Sequence, residues 1–450
     1  MPFTLDAVPA GVPRMRLGRR NLALLAGTVA TLAATRAAPA TLGTPVRTSF
    51  DPEQVRAIAR ERAARPHRPQ RAALPRMLDT LDYDGYRGIR FRAEQALWSD
   101  LGLGFRVQPH HRGFLFKDRV DLFEVAEGQA VALRYHPSLF TFDGAAPGEE
   151  AGDIGFAGFR LLHPLNRADH FDELCSFLGA SYFRGLGRGH AYGISARGLA
   201  IRTAHPAGEE FPAFTAFWIE RPAPGATRVV IHALLESASL TGAYTITVIP
   251  GASTVMEVEA ELFPRADVDR IGIAPGTSMF LFNPGHRGGF SDYRPAVHDS
   301  DGLLIRNGRG EQIWRTLANP RALQVSGFQD AAPRGFGLLQ RSRAFADFQD
   351  LEAQYQRRPG LWVEPLEDWG RGEVQLVEIP TDSEIHDNIV AAWVPEQWLR
   401  AGEPRRCAAR GGACGCCRAS AAASRAGRRP CRRWTGAIAA GARAISSTPR

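Results

Sequence analysis

Short segments of alternating apolar and polar residues, separated by turn residues, constrain the fold of this chain more than any other feature. They include RVVIHALLESASL at 228–240, AYTITVIPG at 243–251, TVMEVEAELF at 254–263 and EVQLVEIP at 373–380. A period of two is typical of strands that bury one face. Long stretches with helical periodicity are absent from the sequence. The pattern therefore predicts an all-β fold, a large antiparallel β-sandwich.

Two helices are expected beside the strands. Asp51 is a good N-cap, Pro52 suits the first helical position, and Val55 and Ala59 share one face of the helix that would follow. A second helix is predicted over 345–355. Both are short, so neither changes the predicted fold class.

The first 39 residues have the pattern of a twin-arginine export signal. Arg19 and Arg20 precede an uncharged run that reaches Thr35. That run is shorter than the roughly 20 apolar residues that span a bilayer, and an alanine-rich stretch follows it. We therefore predict an export signal over 1–39, with an uncleaved membrane anchor as the alternative.

The C-terminal segment has an unusual composition. Residues 405–450 contain eleven arginines and five of the six cysteines, but no Asp, Glu, Lys or His. They show no strand periodicity, and the cysteine spacing lacks the separated pairs of a zinc site. Reading G- and C-rich DNA out of frame would give such a composition. We therefore predict that 396–450 is a linker and disordered tail, altered by a frameshift near codon 404.

Net charge excludes some ligand classes. The tail carries +11 and residues 1–39 carry +4, so of the whole chain's +8 a charge of −7 remains on residues 40–403. A mildly acidic body argues against nucleic acid, which needs a basic face. Only Cys175 lies in that body, so a disulfide framework is not expected. We expect neither a metal nor a cofactor.

Aromatic and arginine side chains alternate with glycines between 177 and 217. Tyr182 offers a flat apolar face, and Arg184 and Arg197 offer forked donors. This mixture suits a polar ring such as a sugar, whose C–H face stacks on aromatics while its hydroxyls form hydrogen bonds. The alternative is a β core with charged rims.

Two acidic clusters are candidates for catalysis. His298-Asp299-Ser300-Asp301 and the segment DSEIHDN at 382–388 both follow predicted strands. Hydrolysis of a glycosidic bond needs one carboxylic acid to protonate the leaving oxygen and one carboxylate to activate water. The alternative is that Asp299 and Asp387 cap turns.

Several long blocks resemble one family. The segments FLGASYFRGLG, EEFPAFTAFWIERP, DYRPAVHDSDGL and DNIVAAWVP are similar to the periplasmic glucan biosynthesis proteins, types G and D, and the Ser-Asp pair of HDSDGL favours type D. The resemblance implies a sugar-mutarotase-like sandwich over 40–395, a periplasmic location, and a role in the synthesis of osmoregulated β-1,2-glucans. It also implies a C-terminal immunoglobulin-like domain, which this sequence would have lost.

The resemblance also implies residue roles. In an inverting endo-β-1,2-glucanase, Asp387 would be the general acid and Asp299 the base, with Asp301 as a rival base and Glu384 orienting the acid or a sugar hydroxyl. The expected groove residues are Tyr182, Arg184, Arg197, Trp314, Arg341, Tyr355, Trp369 and Trp393.

The implied partners are β-1,2-glucan and a membrane glucosyltransferase. The sequence is also compatible with a homodimer. The alternative function is a noncatalytic protein that binds the nascent glucan and passes it from the glucosyltransferase to modifying enzymes.

Overall fold

The computed structural model describes residues 47–69 and 73–414. The predicted signal over 1–39 and the tail beyond 414 lie outside the described residues. Within the described ranges, none of the helices combines the length and the apolar character needed to cross a membrane.

The described chain consists mainly of strands. The α-helices are α1 (Pro52–Ala63), α2 (Arg76–Asp79) and α3 (Tyr83–Arg87), and 3-10 turns lie at Ala93–Gln95, Pro137–Leu139, Glu149–Ala151, Phe345–Asp347 and Tyr355–Arg357. The first thirteen strands are β1 (Arg47–Ser49), β2 (Ile89–Phe91), β3 (Arg106–His110), β4 (Asp121–Ala126), β5 (Gln129–Ala132), β6 (Phe140–Phe142), β7 (Gly158–His163), β8 (Asp172–Leu178), β9 (Tyr182–Gly185), β10 (Ser195–Arg197), β11 (Leu199–Ile201), β12 (Ala213–Glu220) and β13 (Val229–Glu236). The others are β14 (Leu240–Ile249), β15 (Thr254–Pro264), β16 (Ile271–Ser278), β17 (Phe280–Phe282), β18 (Val297–His298), β19 (Gly302–Arg306), β20 (Gln312–Thr316), β21 (Gln324–Ala331), β22 (Gly335–Leu339), β23 (Gly360–Pro365), β24 (Arg371–Glu378), β25 (Ile389–Pro395) and β26 (Arg405–Cys414).

Two sheets form a sandwich, which confirms the predicted fold class. The large sheet has the order β1-β5-β4-β12-β13-β14-β15-β26-β23-β22-β19-β20, and the second sheet has the order β21-β24-β25-β16-β10-β9-β8-β7-β3, with β11 also paired to β16. The β4–β12 pair is parallel. Phe159 and Phe177 of the second sheet pack on Phe217 of the large one, with ring centroids 5.0 and 5.2 Å apart. The main core therefore lies between the two sheets.

Helix α1 covers part of the outer face of the large sheet. Asp51 accepts a hydrogen bond from the backbone N–H of Glu53, and Pro52 starts the helix, as predicted. Val55 and Ala59 are buried in a second apolar cluster with Trp218. This small cluster lies on the opposite side of the large sheet from the main core.

The second predicted helix is wrong. Residues 345–355 contain the 3-10 turn Phe345–Asp347, and a second turn begins only at Tyr355. Gln349 and Gln354 lie between these two turns and have φ values of 54° and 46°, in the left-handed region. A right-handed helix cannot continue through such residues. The segment is instead a compact loop that places Tyr355 beside the acidic clusters.

The predicted disordered tail is wrong for residues 405–414, because they form strand β26. This strand pairs with β15 on one side and with β23 on the other, antiparallel in both cases. Cys407, Ala409 and Ala413 are buried in the sandwich. Backbone N–H and C=O groups pair whatever the side chains are, so a segment without strand periodicity completes the sheet. The frameshift stays a prediction.

Candidate active site

Asp299 lies at the buried end of the candidate site. It follows β18, its backbone N–H donates to the carbonyl of Met279 at 2.8 Å, and its side chain is buried. The Arg358 guanidinium donates to its carboxylate. Burial raises the pKa of Asp299 to about 6, although the charge of Arg358 opposes this shift. Asp299 can therefore exchange a proton near neutral pH.

Asp387 occupies the loop between β24 and β25, and its neighbour Asn388 anchors that loop. Asn388 is buried, and its side chain accepts from the N–H of Phe280 at 2.8 Å. Its amide also donates to the carbonyls of Phe280 and Ile379, both at 3.0 Å. These bonds fix the backbone next to Asp387, so the position of its carboxyl is tied to β17 and β24.

The two aspartates share one electrostatic environment. The side chain of Asp387 reaches solvent, yet the protein around it removes enough water to raise its pKa. The positive charges of Arg184, Arg197 and Arg358 oppose that shift. The negative charge of Asp387 in turn contributes to the raised pKa of Asp299. The structure therefore brings the two predicted catalytic residues together.

Glu384 connects the Asp387 loop to the surroundings of Asp299. The hydroxyl of Tyr355 donates to Glu384 at 2.9 Å, and Arg294 forms an ion pair with the same carboxylate at 2.9 Å. The Arg358 guanidinium lies 4.2 Å from the centroid of the Tyr355 ring and also binds Asp299. One continuous set of contacts thus joins Glu384 to Asp299. Tyr355 is buried, so it takes part through its hydroxyl and not as an open stacking face.

Strands β9 and β10 supply the adjacent aromatic and basic groups. The Arg197 guanidinium lies 4.9 Å from the centroid of the Tyr182 ring and forms an ion pair with Glu209 at 2.6 Å. Arg184 is exposed, and its Nε donates to the hydroxyl of Ser195 at 2.8 Å. Arg184 lies close enough to both aspartates to act on their pKa values, and Arg197 acts on the pKa of Asp387. The pKa of Tyr182, raised mainly by burial, is raised further by the charge of Asp387.

Asp301, Trp314 and Arg341 form a separate cluster. The backbone N–H of Arg341 donates to Asp301 at 3.3 Å, and its guanidinium lies 5.2 Å from the centroid of the Trp314 ring. Burial raises the pKa of Asp301, and the charges of Arg341 and Arg343 oppose this. The arginines that act on the pKa of Asp301 therefore differ from those that act on Asp299 and Asp387.

Trp369 and Trp393 are not groove residues, which corrects the prediction. Trp369 is 4% exposed and Trp393 is 0% exposed, and their ring centroids lie 6.3 Å apart in the core. The indole N–H of Trp369 donates to the carbonyl of Ala408 on β26. Their side chains point between the sheets, where no glucan reaches them.

The roles of Arg358 and Asn388 were not found from the sequence. Arg358 precedes Pro359 and Gly360 at the start of β23, where an arginine has no distinctive pattern. Asn388 directly follows the predicted acid. The available signal in the sequence was a polar residue immediately before the apolar strand IVAAWVP. Within residues 47–69 and 73–414, no group of three His, Cys, Asp or Glu side chains is placed to hold a metal ion.

The chain is similar to known proteins over most of its length. A family model described as "Periplasmic glucan biosynthesis protein, MdoG" matches residues 50–415. Glucans biosynthesis protein G of Rhodopseudomonas palustris strain CGA009 is 54% identical over 352 residues, which cover 78% of this chain and 70% of that protein. The protein of the same name from Bradyrhizobium diazoefficiens is 52% identical over 388 residues, 86% of this chain and 76% of that protein. Both relatives are named as type G proteins, so they do not support the expectation from HDSDGL that the chain is closer to type D.

Among solved structures the likeness is weak. An α-galactosidase of Geobacillus stearothermophilus overlaps 57% of this chain and 38% of its own, with a TM-score of 0.28 and 10% identity. No conclusion about fold or function is drawn from this overlap.

Proposed function

Because the chain belongs to the periplasmic glucan biosynthesis protein family, we propose that it is an inverting endo-β-1,2-glucanase that sets the backbone length of periplasmic glucans. The observation that carries the proposal is that Asp299 and Asp387 lie beside the same arginines, since Arg358 binds Asp299 and the charges of Arg184 and Arg358 act on both carboxyl groups. The family supports a role in osmoregulated periplasmic glucan synthesis. The periplasmic location, the β-1,2 linkage and the hydrolysis belong to the proposal.

In the proposed mechanism Asp387 protonates the glycosidic oxygen as the bond to the leaving sugar breaks. Its exposure gives a substrate access to the carboxyl, and burial of its surroundings raises its pKa, which favours the protonated form that a general acid needs. A bound glucan would displace further water and favour the protonated form more strongly. Asp387 then ends the step as a carboxylate, stabilised by the nearby arginine charges.

Asp299 would take a proton from the attacking water, directly or through other waters. A base must be ionised, and the direct contact with Arg358 stabilises the carboxylate and limits the rise in pKa that burial causes. Asp299 is ionised above its pKa of about 6. In an inverting enzyme the two carboxyl groups stand about 6.5–9.5 Å apart so that water fits between them.

Tyr182 and Arg184 are proposed to bind the sugar next to the cleaved bond, whereas Arg197, a predicted groove residue, is buried between Glu209 and Tyr182 and holds them in place. The partly exposed Tyr182 ring offers a stacking face, while Arg184 keeps donors free for hydroxyl groups after its Nε binds Ser195. Glu384 is proposed to hold the Asp387 loop through its bonds to Tyr355 and Arg294.

Product analysis tests this proposal. Incubation with linear β-1,2-glucan should give shorter chains, and NMR of the fresh products should show the anomer opposite to that of the substrate bond. Binding without any shortening would favour the noncatalytic carrier. Retention of configuration would contradict the inverting mechanism.

Substrates with a good aryl leaving group separate the two roles, because they need little protonation. Asp387→Asn should recover much of its activity on them, and Asp299→Asn should not. Recovery by Asp299→Asn alone would reverse the two assignments.

A further inference from the structure

The β24–β25 hairpin carries a second polar groove at the end away from Asp387. The groove has a volume of about 890 Å³. Its floor crosses three adjacent strands, where Gln329 of β21 pairs with Glu373 of β24, and Glu373 pairs with Val394 of β25. Gly372 and Glu378 are six steps apart along β24, which is about 20 Å at about 3.3 Å per residue. The groove is therefore separate from the candidate active site.

The two walls of the groove come from different parts of the fold. One wall is the turn between β19 and β20, where the N–H of Gly308 donates to Asp330 at 2.9 Å and Arg309 is exposed. The other wall includes Trp398, whose side chain is 55% exposed. The Arg400 guanidinium lies 5.5 Å from the centroid of the Trp398 ring. A large flat apolar surface thus stands beside a polar floor.

The charges of the groove indicate a neutral ligand. Three arginines and four carboxylates line it, so its formal charge is close to zero. Some of these groups already satisfy each other, as Arg371 and Glu396 do at 2.8 Å. Nucleic acids and anionic lipids require an excess of positive charge, which this groove does not have. Donors and acceptors in near balance beside an indole ring suit the hydroxyls and C–H face of a sugar.

We propose that this groove binds a remote part of the same glucan chain whose cleaved bond lies at Asp387. The inference rests on the proposed function, because it takes the ligand to be β-1,2-glucan. A long chain that occupies both places gains affinity through effective concentration, whereas a short oligosaccharide occupies only one. The groove therefore raises the affinity for long chains and does not raise the affinity of the active site for short ones.

Affinity measurements in the Asp387→Asn background test this inference, because the glucan then stays intact. Trp398→Ala and Arg309→Ala change opposite walls of the groove. Each should weaken binding of long β-1,2-glucan by about three- to tenfold, while affinity for a short oligosaccharide stays the same. Tyr83→Ala is the matched control, since Tyr83 is 57% exposed on α3 and lies 5.5 Å from the Arg87 guanidinium.

The outcomes separate this inference from the proposed function. Unchanged binding of long glucan in both groove variants would contradict the proposed role of the groove and would leave the proposed active site unaffected. Equal weakening for long and short chains also overturns it, because the groove would then not act as a remote site. If the Asp387→Asn protein binds no β-1,2-glucan of any length, both proposals fail together.

Discussion

The Asp387 loop and strand β26 are both held by hydrogen bonds. Side chains form these bonds in the loop, and the backbone forms them in the strand. The loop is fixed by side chains, namely the three bonds of Asn388 and the Tyr355–Glu384 contact. Strand β26 is held by its backbone, which pairs with β15 over residues 405–413 and with β23 over residues 409–414. Its buried side chains are small, and a cavity of about 80 Å³ lies beside Ala409 and Ala413. Changes in the loop should therefore affect chemistry, and changes in β26 should affect stability.

The largest expected effect is on catalysis. Asp387→Asn keeps the shape of the side chain but removes its proton, so kcat should fall about 10²- to 10⁴-fold. Affinity for glucan and the melting temperature should stay close to those of the wild type, measured by calorimetry and thermal unfolding. Asp382→Asn is the control, because Asp382 is an exposed carboxylate of the same loop. Turnover at the wild-type rate in Asp387→Asn would end the assignment.

The second effect is on stability. Gly411 pairs with Met256 of β15 and with Val363 of β23. Gly411→Pro removes a backbone donor from a central strand, where proline is not tolerated, and should cost about 3 kcal/mol or more. Urea unfolding measures this loss. Gly411→Ala is the matched control, because it keeps the backbone donor and its Cβ would lie 3.9 Å from Leu361, an ordinary contact. An unchanged unfolding midpoint would show that β26 adds little to the sheet.

The third effect is on the pH dependence of activity. A base must be ionised, so activity should fall as the pH drops through about 6, the pKa of Asp299. Arg358 opposes the raised pKa, and its removal in Arg358→Met should move this acid limb to higher pH, by about one unit. Arg357→Met is the neighbouring control. A limb that stays in place in Arg358→Met would remove Asp299 from the base role.

The smallest effect should come from filling the cavity next to β26. At about 24 cal/mol per Å³, a void of this size costs about 2 kcal/mol. Ala409→Val adds two methyl groups at its wall and should stabilise the protein by about 0.5–2 kcal/mol. The same change at the exposed strand residue Ala331 corrects for β propensity alone. A gain at both positions of equal size would show that the cavity is not the cause.

Local patterns predicted the elements whose own residues determine them. The capped start of α1 needs only Asp51 and Pro52, and the two-periodic segments form strands β13–β15, although α1 also buries part of the outer face of β13 and β14. Asp299 and Asp387 belong to two acidic clusters that the residues alone made candidates, and the family resemblance supplied their roles. In the structure the charges of Arg184 and Arg358 act on both.

The errors share a physical cause, which is that distant contacts decide the outcome. Trp369 and Trp393 have the residue type of a sugar platform, but only the packing of the two sheets determines which tryptophans are buried. Strand β26 has no strand pattern, and the edges of β15 and β23 determine its conformation. The role of Arg358 depends on a contact 59 residues along the chain, with Asp299.

The position of β26 also bears on the order in which the protein folds. One half of the large sheet consists of β1, β5, β4 and β12–β15, the other consists of β23, β22, β19 and β20, and β26 is the strand that joins them. Because β26 is also the last strand described, it leaves the ribosome after both halves. Until then β15 and β23 are unpaired edges, which attract strands of other chains. Pairing over about 150 residues of sequence is also slow. During synthesis the edges of β15 and β23 therefore stay unpaired until residues 405–414 have emerged and can join the two halves of the large sheet.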